Sequence, residues 1–159
     1  MKKRSVLLMT VLAFALLFSS ISTASAQASS PRKINCVINI AFNFYPDGGY
    51  WYGTVTGCSL AGTIKFEEGS KEYYFVGDKE YFFEKFTIWP ASGGEIHGYD
   101  NGVWNGKTLR FRSTGRITRA SEEWAGLVGY RYEETGTTSN PDLLPVTALG
   151  TGMTVHKRH

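Results

Sequence analysis

The sequence predicts a single all-β domain, an antiparallel up-and-down barrel of about eight strands. Three observations lead to this fold class. Short runs in which apolar and polar residues alternate are typical of strands with one face in a core. Turn-forming residues separate these runs, and glycine is frequent, with 18 in 159 residues. Helical periodicity is nearly absent. Closure into a barrel removes the exposed edge strands of an open sheet, and a β-sandwich is the alternative.

The first 26 residues predict a signal peptide that is removed on export. Residues 2–4 are basic, residues 6–18 form an apolar run, and Ala24 and Ala26 have the small-x-small spacing at which a signal peptidase cleaves. The apolar run is shorter than a bilayer span, which needs roughly 20 residues. We therefore expect a secreted or extracytoplasmic protein, cleaved near Ala26, without a stable membrane anchor.

The mature chain has balanced charge. The whole chain contains 17 Lys and Arg and 14 Asp and Glu, and three of the cations but none of the acids lie in the signal peptide. Balanced charge gives no reason to expect nucleic acid as a partner. We divide the mature chain into a disordered leader at 27–33, a barrel domain at 34–155 and a frayed tail at 156–159, and leave the oligomeric state open.

The first two predicted strands, at 34–44 and 50–58, form a hairpin that brings the two cysteines together. A five-residue loop between the strands would place Cys36 directly opposite Cys58. Oxidising conditions outside the cytoplasm favour a disulfide between them, and two free buried thiols are the alternative. The bond would close a loop of about 20 residues and contribute on the order of 3 kcal/mol.

Shorter elements flank the centre of the chain. Further strands are predicted at 63–67, 72–76, 127–134 and 146–155. A turn at 68–70 separates the first two of them. A short helical turn, capped by Ser121, precedes the third.

The centre of the chain predicts a three-stranded meander between residues 80 and 118. A five-residue loop at 90–94 fixes the register of its first hairpin and places Glu84 opposite Asp100. Alternation along the strands then puts both carboxylates on the apolar face of the meander.

The second hairpin of the meander is predicted from Asn105 and Gly106, which favour a two-residue turn. This turn would pair Asp100 with Phe111. We expect the apolar face to be buried and a stripe of three arginines on the other face to be exposed. The apolar face carries Phe82, Phe86, Ile88, Ile96, Leu109, Phe111 and Ile117, and the arginines are Arg110, Arg112 and Arg116.

Glu84 and Asp100 are the candidate catalytic residues. Two neighbouring carboxylates on an apolar face repel each other, so one of them should hold a proton at neutral pH. Such a pair can give and take protons on a bound molecule. The alternative is a structural role: a bulge at residues 101–102 would turn Asp100 outward, and buried acids often serve only as hydrogen-bond partners.

Five aromatic residues on the inner face are candidates for contacting a small apolar ligand. They are Phe82, Phe86, Phe111, Tyr130 and Tyr132. The glycines opposite Phe82 and Phe86 are expected to leave room for the ligand. We expect no metal and no cofactor, because His97 is the sole histidine within the barrel domain and no cofactor motif is present.

An exported chain of about eight antiparallel strands with tight turns resembles the barrel shared by allene oxide cyclases, dirigent proteins and, more distantly, lipocalins. The resemblance lies in the number and length of the strands. The chain has no sequence motif of these families, so no functional residue is carried over from them. The resemblance implies a closed or nearly closed barrel.

Three functions follow as hypotheses. The first is a secreted barrel that binds a small, mostly apolar molecule in its lumen. The second is a cofactor-free cyclase or isomerase in which Glu84 or Asp100 moves a proton. The third is a surface module that displays Trp51, Trp89, Tyr99 and the arginines to a glycan or a protein. A lumen with space for a ligand separates the first two from the third.

Overall fold

A computed structural model describes residues 33–45 and 48–157 of the chain, without the side chains of residues 44, 45, 48 and 68–72. The predicted signal peptide, the leader up to residue 32 and the last two residues lie outside the described part.

Eight antiparallel strands close into a barrel in which each strand pairs with its neighbours in sequence and β8 pairs with β1. The strands are β1 Lys33–Tyr45, β2 Gly48–Thr56, β3 Gly62–Val76, β4 Lys79–Pro90, β5 Ile96–Asn105, β6 Arg110–Ala120, β7 Arg131–Thr137 and β8 Thr147–His156. A short 3-10 helix, Glu122–Leu127, lies between β6 and β7. The fold is therefore the predicted barrel and not a sandwich. Within the described ranges, no helix is long and apolar enough to cross a membrane.

The predicted turn at 68–70 is wrong, because β3 continues through it as one strand. Glu68 pairs with Glu84 and Tyr73 with Phe82, so that four residues of β3 lie opposite Phe83 alone. A β-bulge therefore interrupts the ladder where a turn was expected. Two predicted short strands therefore form one long strand.

The disulfide between Cys36 and Cys58 is present, with 5.2 Å between the two Cα atoms. The register from which it was predicted is wrong by one residue, because Val37 pairs with Thr56 at the end of the ladder. Gly57 has a φ of 76°, which other residues rarely adopt, and turns the chain where Cys58 follows β2. The bend after β2, rather than direct pairing, brings the cysteines together.

The predicted register of β4 and β5 is confirmed, since Glu84 pairs with Asp100. The predicted register of β5 and β6 is wrong by four residues: Asp100 pairs with Gly115 and not with Phe111. An even shift keeps every side chain on its predicted face. The predicted assignment of side chains to the two faces of the meander therefore remains correct despite the error in register.

The four-residue error comes from the loop between β5 and β6. The side-chain oxygen of Asn105 accepts hydrogen bonds from the backbone N–H groups of Lys107 (3.0 Å) and Thr108 (3.1 Å). Leu109 donates its N–H to the Asn105 carbonyl at 2.7 Å and has a positive φ of 59°. The loop therefore has four residues, and the Asn–Gly pair starts it instead of forming a two-residue turn.

Burial along the meander follows the predicted faces. Phe86, Ile88, Ile96 and Ile117 are buried, whereas Arg110, Arg112 and Arg116 are exposed. Phe82, Leu109 and Phe111 are only partly buried. Leu109 lies in the loop, and the two phenylalanines face a cavity.

The barrel has two ends that differ in how they are covered. The loops β2–β3, β4–β5 and β6–β7 lie at one end, which we call the closed end. Leu60 in the first of these loops is 0% exposed and Leu127 in the 3-10 helix is 2% exposed, and both belong to the core. The other four loops lie at the opposite end, which we call the open end.

The 3-10 helix is attached to the β4–β5 loop. Ser121 precedes the helix as predicted, but its side chain makes no capping hydrogen bond. Its hydroxyl accepts a hydrogen bond from the Glu95 N–H at 2.8 Å and donates one to the Glu95 carbonyl at 3.1 Å. The indole N–H of Trp124 donates to the Gly93 carbonyl at 3.0 Å. These bonds fix the cover of the closed end.

Candidate functional site

The open half of the barrel contains a cavity of about 360 Å³. Seven of the fifteen described lining residues are aromatic: Phe42, Trp51, Phe66, Phe75, Phe82, Trp104 and Phe111. The remaining lining residues are Ile40, Thr138, Pro141, Val146, Ala148 and three acids, Glu80, Glu84 and Glu134. None of the described lining residues is basic. The described part of the wall is therefore mostly apolar, and the charged side chains described there are acidic.

Two glycines on β5 hold the phenylalanine rings of β4. A Cβ atom on Gly98 would lie 2.2 Å from the ring of Phe86, and one on Gly102 would lie 2.4 Å from the ring of Phe82. Both distances are shorter than any van der Waals contact, so each ring occupies the space above its paired glycine. The prediction that these glycines leave room for a ligand is wrong, because the phenylalanines fill that room.

A cluster of three buried carboxylic acids, from β4, β5 and β7, lies at the cavity floor and directly behind it. Glu84 on β4 is 6% exposed, Asp100 on β5 is 0% exposed and Glu134 on β7 is 3% exposed. Glu84 is paired with Asp100, and Ser113 on β6 is paired with Glu134. Ser113 lies two positions along β6 from Gly115, the partner of Asp100, so alternation brings the three acids to one region of the barrel interior.

Two hydroxyl groups hold two of these acids. Ser113 donates a short hydrogen bond to Oδ2 of Asp100, and Tyr132 donates one to Oε2 of Glu134 at 2.7 Å. Oδ1 of Asp100 is fully buried without a hydrogen-bond partner among the described residues. A buried carboxylate oxygen without a partner is costly, whereas a protonated carboxyl is less so. The arrangement favours a proton on Asp100.

Burial raises the pKa values of both hydroxyl-bound acids. Desolvation raises the pKa of Asp100 to about 7, against the hydrogen bond from Ser113, which lowers it. Desolvation, followed by the negative charge of Asp100, raises the pKa of Glu134 to about 8, and the Tyr132 hydrogen bond opposes this. The same burial and the neighbouring acids raise the pKa of Tyr132 well above 10. The cluster therefore exchanges protons near neutral pH.

The structure places the predicted site residues at different depths. Glu84, Phe82 and Phe111 line the cavity. Asp100 belongs to the acid cluster but is not among the lining residues, and it lies behind the floor. Trp51, predicted on the outer surface, instead lines the cavity, where its ring meets that of Phe42 edge to face at 5.1 Å between centroids.

The other three predicted ligand contacts lie in the core. The rings of Phe86 and Tyr132 stack with 4.4 Å between their centroids, and both are almost fully buried. Tyr130 is 6% exposed and lies at the closed end, where its N–H donates to the Leu127 carbonyl at 3.0 Å. None of the three is among the described lining residues, so they belong to the core rather than to the described wall.

Sequence reasoning missed Glu134, although a signal for it was present. Tyr130 and Tyr132 were placed on the inner face of their strand, and the residue two positions later has the same orientation. Trp104 was also missed as a wall residue, and its indole N–H donates to Thr138 at 2.9 Å near the open end. Among the described residues, no group of His, Cys, Asp and Glu side chains has an arrangement that could hold a metal ion.

No protein-family model, no curated protein and no solved structure matches this chain. The resemblance to allene oxide cyclases and dirigent proteins therefore stays a prediction from strand number and length.

Proposed function

We propose that this protein is an exported barrel that binds a small, mostly apolar molecule in the cavity of its open half. The observation that carries the proposal is the cavity itself, with about 360 Å³ of space, seven aromatic wall residues and a polar floor. Ligand sites of small molecules typically have volumes of about 300–1,000 Å³, apolar walls and a few polar groups that orient the ligand. Barrels of eight strands are just wide enough to hold one such molecule.

Export is the second part of the proposal. The disulfide between Cys36 and Cys58 is consistent with an extracellular location, since such bonds persist in oxidising compartments. The predicted signal peptide at residues 1–26 supports the same compartment. Mass spectrometry of the exported protein should give a mature chain that starts near residue 27, and a full-length exported chain would contradict this part.

Binding of the neutral fluorophore N-phenylnaphthylamine tests the first part. Its emission should rise on transfer into the apolar cavity, with saturable one-to-one binding. Ala148 lines the cavity and is 1% exposed, so Ala148→Phe should fill the space and weaken binding by about tenfold or more. Ala125→Phe, on the exposed side of the 3-10 helix, is the matched control and should bind like the wild type. Equal affinity in both variants would contradict the proposal.

A second candidate function is an enzyme of the isomerase or cyclase kind that moves a proton on the bound molecule. The observation that favours it is the acid cluster, in which the pKa values of Asp100 (about 7) and Glu134 (about 8) are raised toward neutral. General acids and bases work best when their pKa lies near the working pH. Glu84 is the cavity-lining acid that would contact the reacting atoms together with Glu134.

Hydrogen exchange tests this activity without knowledge of the substrate. Phenylbutanone in deuterium oxide exchanges its hydrogens next to the carbonyl slowly, and NMR follows the loss of signal. The wild type should accelerate the exchange, while Glu84→Gln and Glu134→Gln should not. Glu133→Gln, next to Glu134 but on the outer face, is the control. If the wild type does not accelerate the exchange, the proposed enzymatic activity is contradicted. The proposal of a barrel that only binds its ligand is unaffected by that result. A surface module has less support, because Trp51 belongs to the cavity wall.

A further inference from the structure

The outer side of β4, β5, β6 and β7 is strongly basic, and we call it the basic face. All seven basic residues of these four strands are exposed and point outward, whereas four of their five acids point inward. Alternation along the strands therefore separates the two signs of charge across the barrel wall. The cations of the basic face are Lys79 and Lys85 from β4, Arg110, Arg112, Arg116 and Arg119 from β6, and Arg131 from β7.

Three arginines at the centre of this face, the stripe Arg110, Arg112 and Arg116, form no ion pair with any described side chain. The strand neighbours of Arg110 and Arg112 are uncharged residues of β5 and β7. Arg116 lies directly opposite Arg131, and like charges in paired positions destabilise a sheet. Arg131 itself has an acid partner, Glu133 at 2.9 Å. The described protein therefore does not neutralise the charge of the stripe.

The acids on the inner side of these strands compensate this charge only in part. Burial raises the pKa of Asp100 to about 7 and that of Glu134 to about 8, so their negative charge at neutral pH is reduced. A surface that carries one sign of charge attracts partners of the opposite sign over about 10 Å at 0.1 M salt. The basic face is therefore complementary to a polyanion.

The shape of the arginine stripe indicates what kind of anion fits. Arg110 and Arg116 lie on one strand, and the backbone between them spans about 20 Å at roughly 3.4 Å per residue. Each guanidinium group can bind a carboxylate or another oxyanion through two parallel hydrogen bonds. A row of this length matches a polymer with several anionic groups better than one small anion.

We propose that the basic face binds a linear acidic polysaccharide, whose carboxylate or sulfate groups pair with the arginines of β6. This site is separate from the cavity. The inference depends on the proposed function only through export, which brings the protein into contact with polysaccharides outside the cytoplasm.

Two other polyanionic partners fit the face less well. The side of a closed barrel is convex, so a flat bilayer or a rigid duplex contacts it along a narrow strip, whereas a flexible chain can follow it. Proteins that bind single-stranded nucleic acid present aromatic ring faces to the bases. Here the rings of Phe83 and Tyr99 are stacked on each other, with 5.6 Å between their centroids, and Tyr74 and Tyr81 are stacked at 5.0 Å.

Labelled polysaccharides test the inference by fluorescence anisotropy. Dextran sulfate and polygalacturonate supply sulfate and carboxylate groups, and neutral dextran is the uncharged control. The wild type should bind the acidic polymers at about 50 mM NaCl and lose about tenfold or more in affinity at about 200 mM. Binding of one acidic polymer alone would support the inference and identify the anionic group. Equal binding of neutral dextran, or no binding of either acidic polymer, would overturn it.

Two double variants locate the site. Arg112→Gln with Arg116→Gln removes two charges from the stripe and should lower the affinity about tenfold. Lys33→Gln with Lys65→Gln removes the same charge from β1 and β3, outside the basic face, and should change the affinity by less than about twofold. Urea unfolding checks that both variants are folded. Equal losses of affinity in the two folded variants would show that net charge alone drives binding and would contradict the site.

Two competing polyanions test the choice of partner. Single-stranded oligothymidylate and vesicles of phosphatidylcholine and phosphatidylserine in equal amounts are measured at the same salt concentration. Both should bind more weakly than the better acidic polysaccharide. Tighter binding of the oligonucleotide or of the vesicles would overturn the inference in favour of a nucleic acid or a membrane.

The fluorophore separates this site from the cavity. Saturation with the acidic polysaccharide should leave the affinity for N-phenylnaphthylamine unchanged, because the basic face lies outside the barrel. A protein that binds the polysaccharide but not the fluorophore would contradict the binding barrel alone. A protein that binds the fluorophore but no acidic polysaccharide would contradict this inference alone.

Discussion

The closed end and the open end of this barrel are built from the same eight strands, but their leucines show how differently they are covered. At the closed end, Leu60 and Leu127 are 0% and 2% exposed. At the open end, in the loop between β7 and β8, Leu143 and Leu144 are 67% and 70% exposed. The connections of the closed end therefore bury both leucines over the barrel interior, whereas the loop between β7 and β8 leaves both of its leucines in solvent.

The difference explains where a ligand can bind. The loops of the closed end are held down by a disulfide and by the hydrogen bonds of Ser121 and Trp124. Toward the open end, aromatic rings line the wall and leave about 360 Å³ of space between them. An eight-stranded barrel is wide enough either to be filled by side chains or to hold one small molecule. In this chain, side chains fill the half of the barrel next to the closed end, and the half next to the open end has space for a small molecule.

The largest expected effect compares two phenylalanines in the two halves. Phe86 is 1% exposed and stacks on Tyr132 below the floor, so Phe86→Ala should lower the free energy of unfolding by about 3–5 kcal/mol. Phe111 is partly exposed in the cavity, so Phe111→Ala should lower it by only about 1–2 kcal/mol. Urea unfolding measures both. Equal losses would mean that the two halves are packed alike.

The disulfide tests whether the closed end serves stability alone. The bond joins cysteines separated by 22 positions in sequence, and replacing both by serine should lower the free energy of unfolding by about 3 kcal/mol. Because the bond lies away from the cavity, the folded variant should bind N-phenylnaphthylamine like the wild type. A large loss of affinity in protein that is still folded would show that the two ends are coupled.

The acid cluster should make stability depend on pH. Folding raises the pKa values of Asp100 to about 7 and of Glu134 to about 8, from ordinary values near 4. The native state then binds more protons than the unfolded state between these limits. The free energy of unfolding should therefore fall as pH rises from about 4.5 to about 8, on the order of 1 kcal/mol per pH unit, and then level off.

A matched pair of variants assigns this pH dependence. Glu134→Gln should make the stability profile flatter between pH 5 and pH 8, whereas Glu133→Gln, on the outer face of the same strand, should keep the wild-type slope. A flat wild-type profile, or a loss of slope in the Glu133 variant alone, would mean that the cluster does not hold protons as described.

The smallest effect is expected at the exposed leucines of the open end. Leu144→Ala should change the free energy of unfolding by no more than about 0.5 kcal/mol, because the side chain is 70% exposed. Leu60→Ala at the closed end is the counterpart and should lower it by about 2–5 kcal/mol. A substantial loss in the Leu144 variant would mean that this side chain packs against the barrel in solution.

Alternation in the sequence predicted the barrel and the faces of its strands, because burial of one face constrains every second residue. It also paired Glu84 with Asp100, since the loop at 90–94 has glycines where the backbone needs positive φ, as at Gly93 and Gly94. The next hairpin was wrong because Leu109 adopts a positive φ that its residue type does not signal. The residues of a loop therefore predict the register of a hairpin only where their type favours the backbone conformation that they adopt.

The cavity was harder to predict than the faces. Alternation predicts that Phe86 and Phe111 both point inward. It does not predict that Phe86 is packed in the core while Phe111 lines the cavity. That depth depends on how far each strand is shifted along its neighbours around the whole barrel. A four-residue error between β5 and β6 changes the depth of Phe111 while its face stays correct. Glu134, in contrast, was predictable from Tyr132 by alternation alone.

Mapping the bound fluorophore by NMR tests the central claim most directly. The backbone amide signals of the wild type are recorded with and without N-phenylnaphthylamine. The largest shifts should occur at Phe82, Trp104 and Ala148 around the cavity, while Leu60 and Leu127 at the closed end should not change. Shifts confined to the closed end or to the outer face of the barrel, with the cavity residues unchanged, would contradict the account.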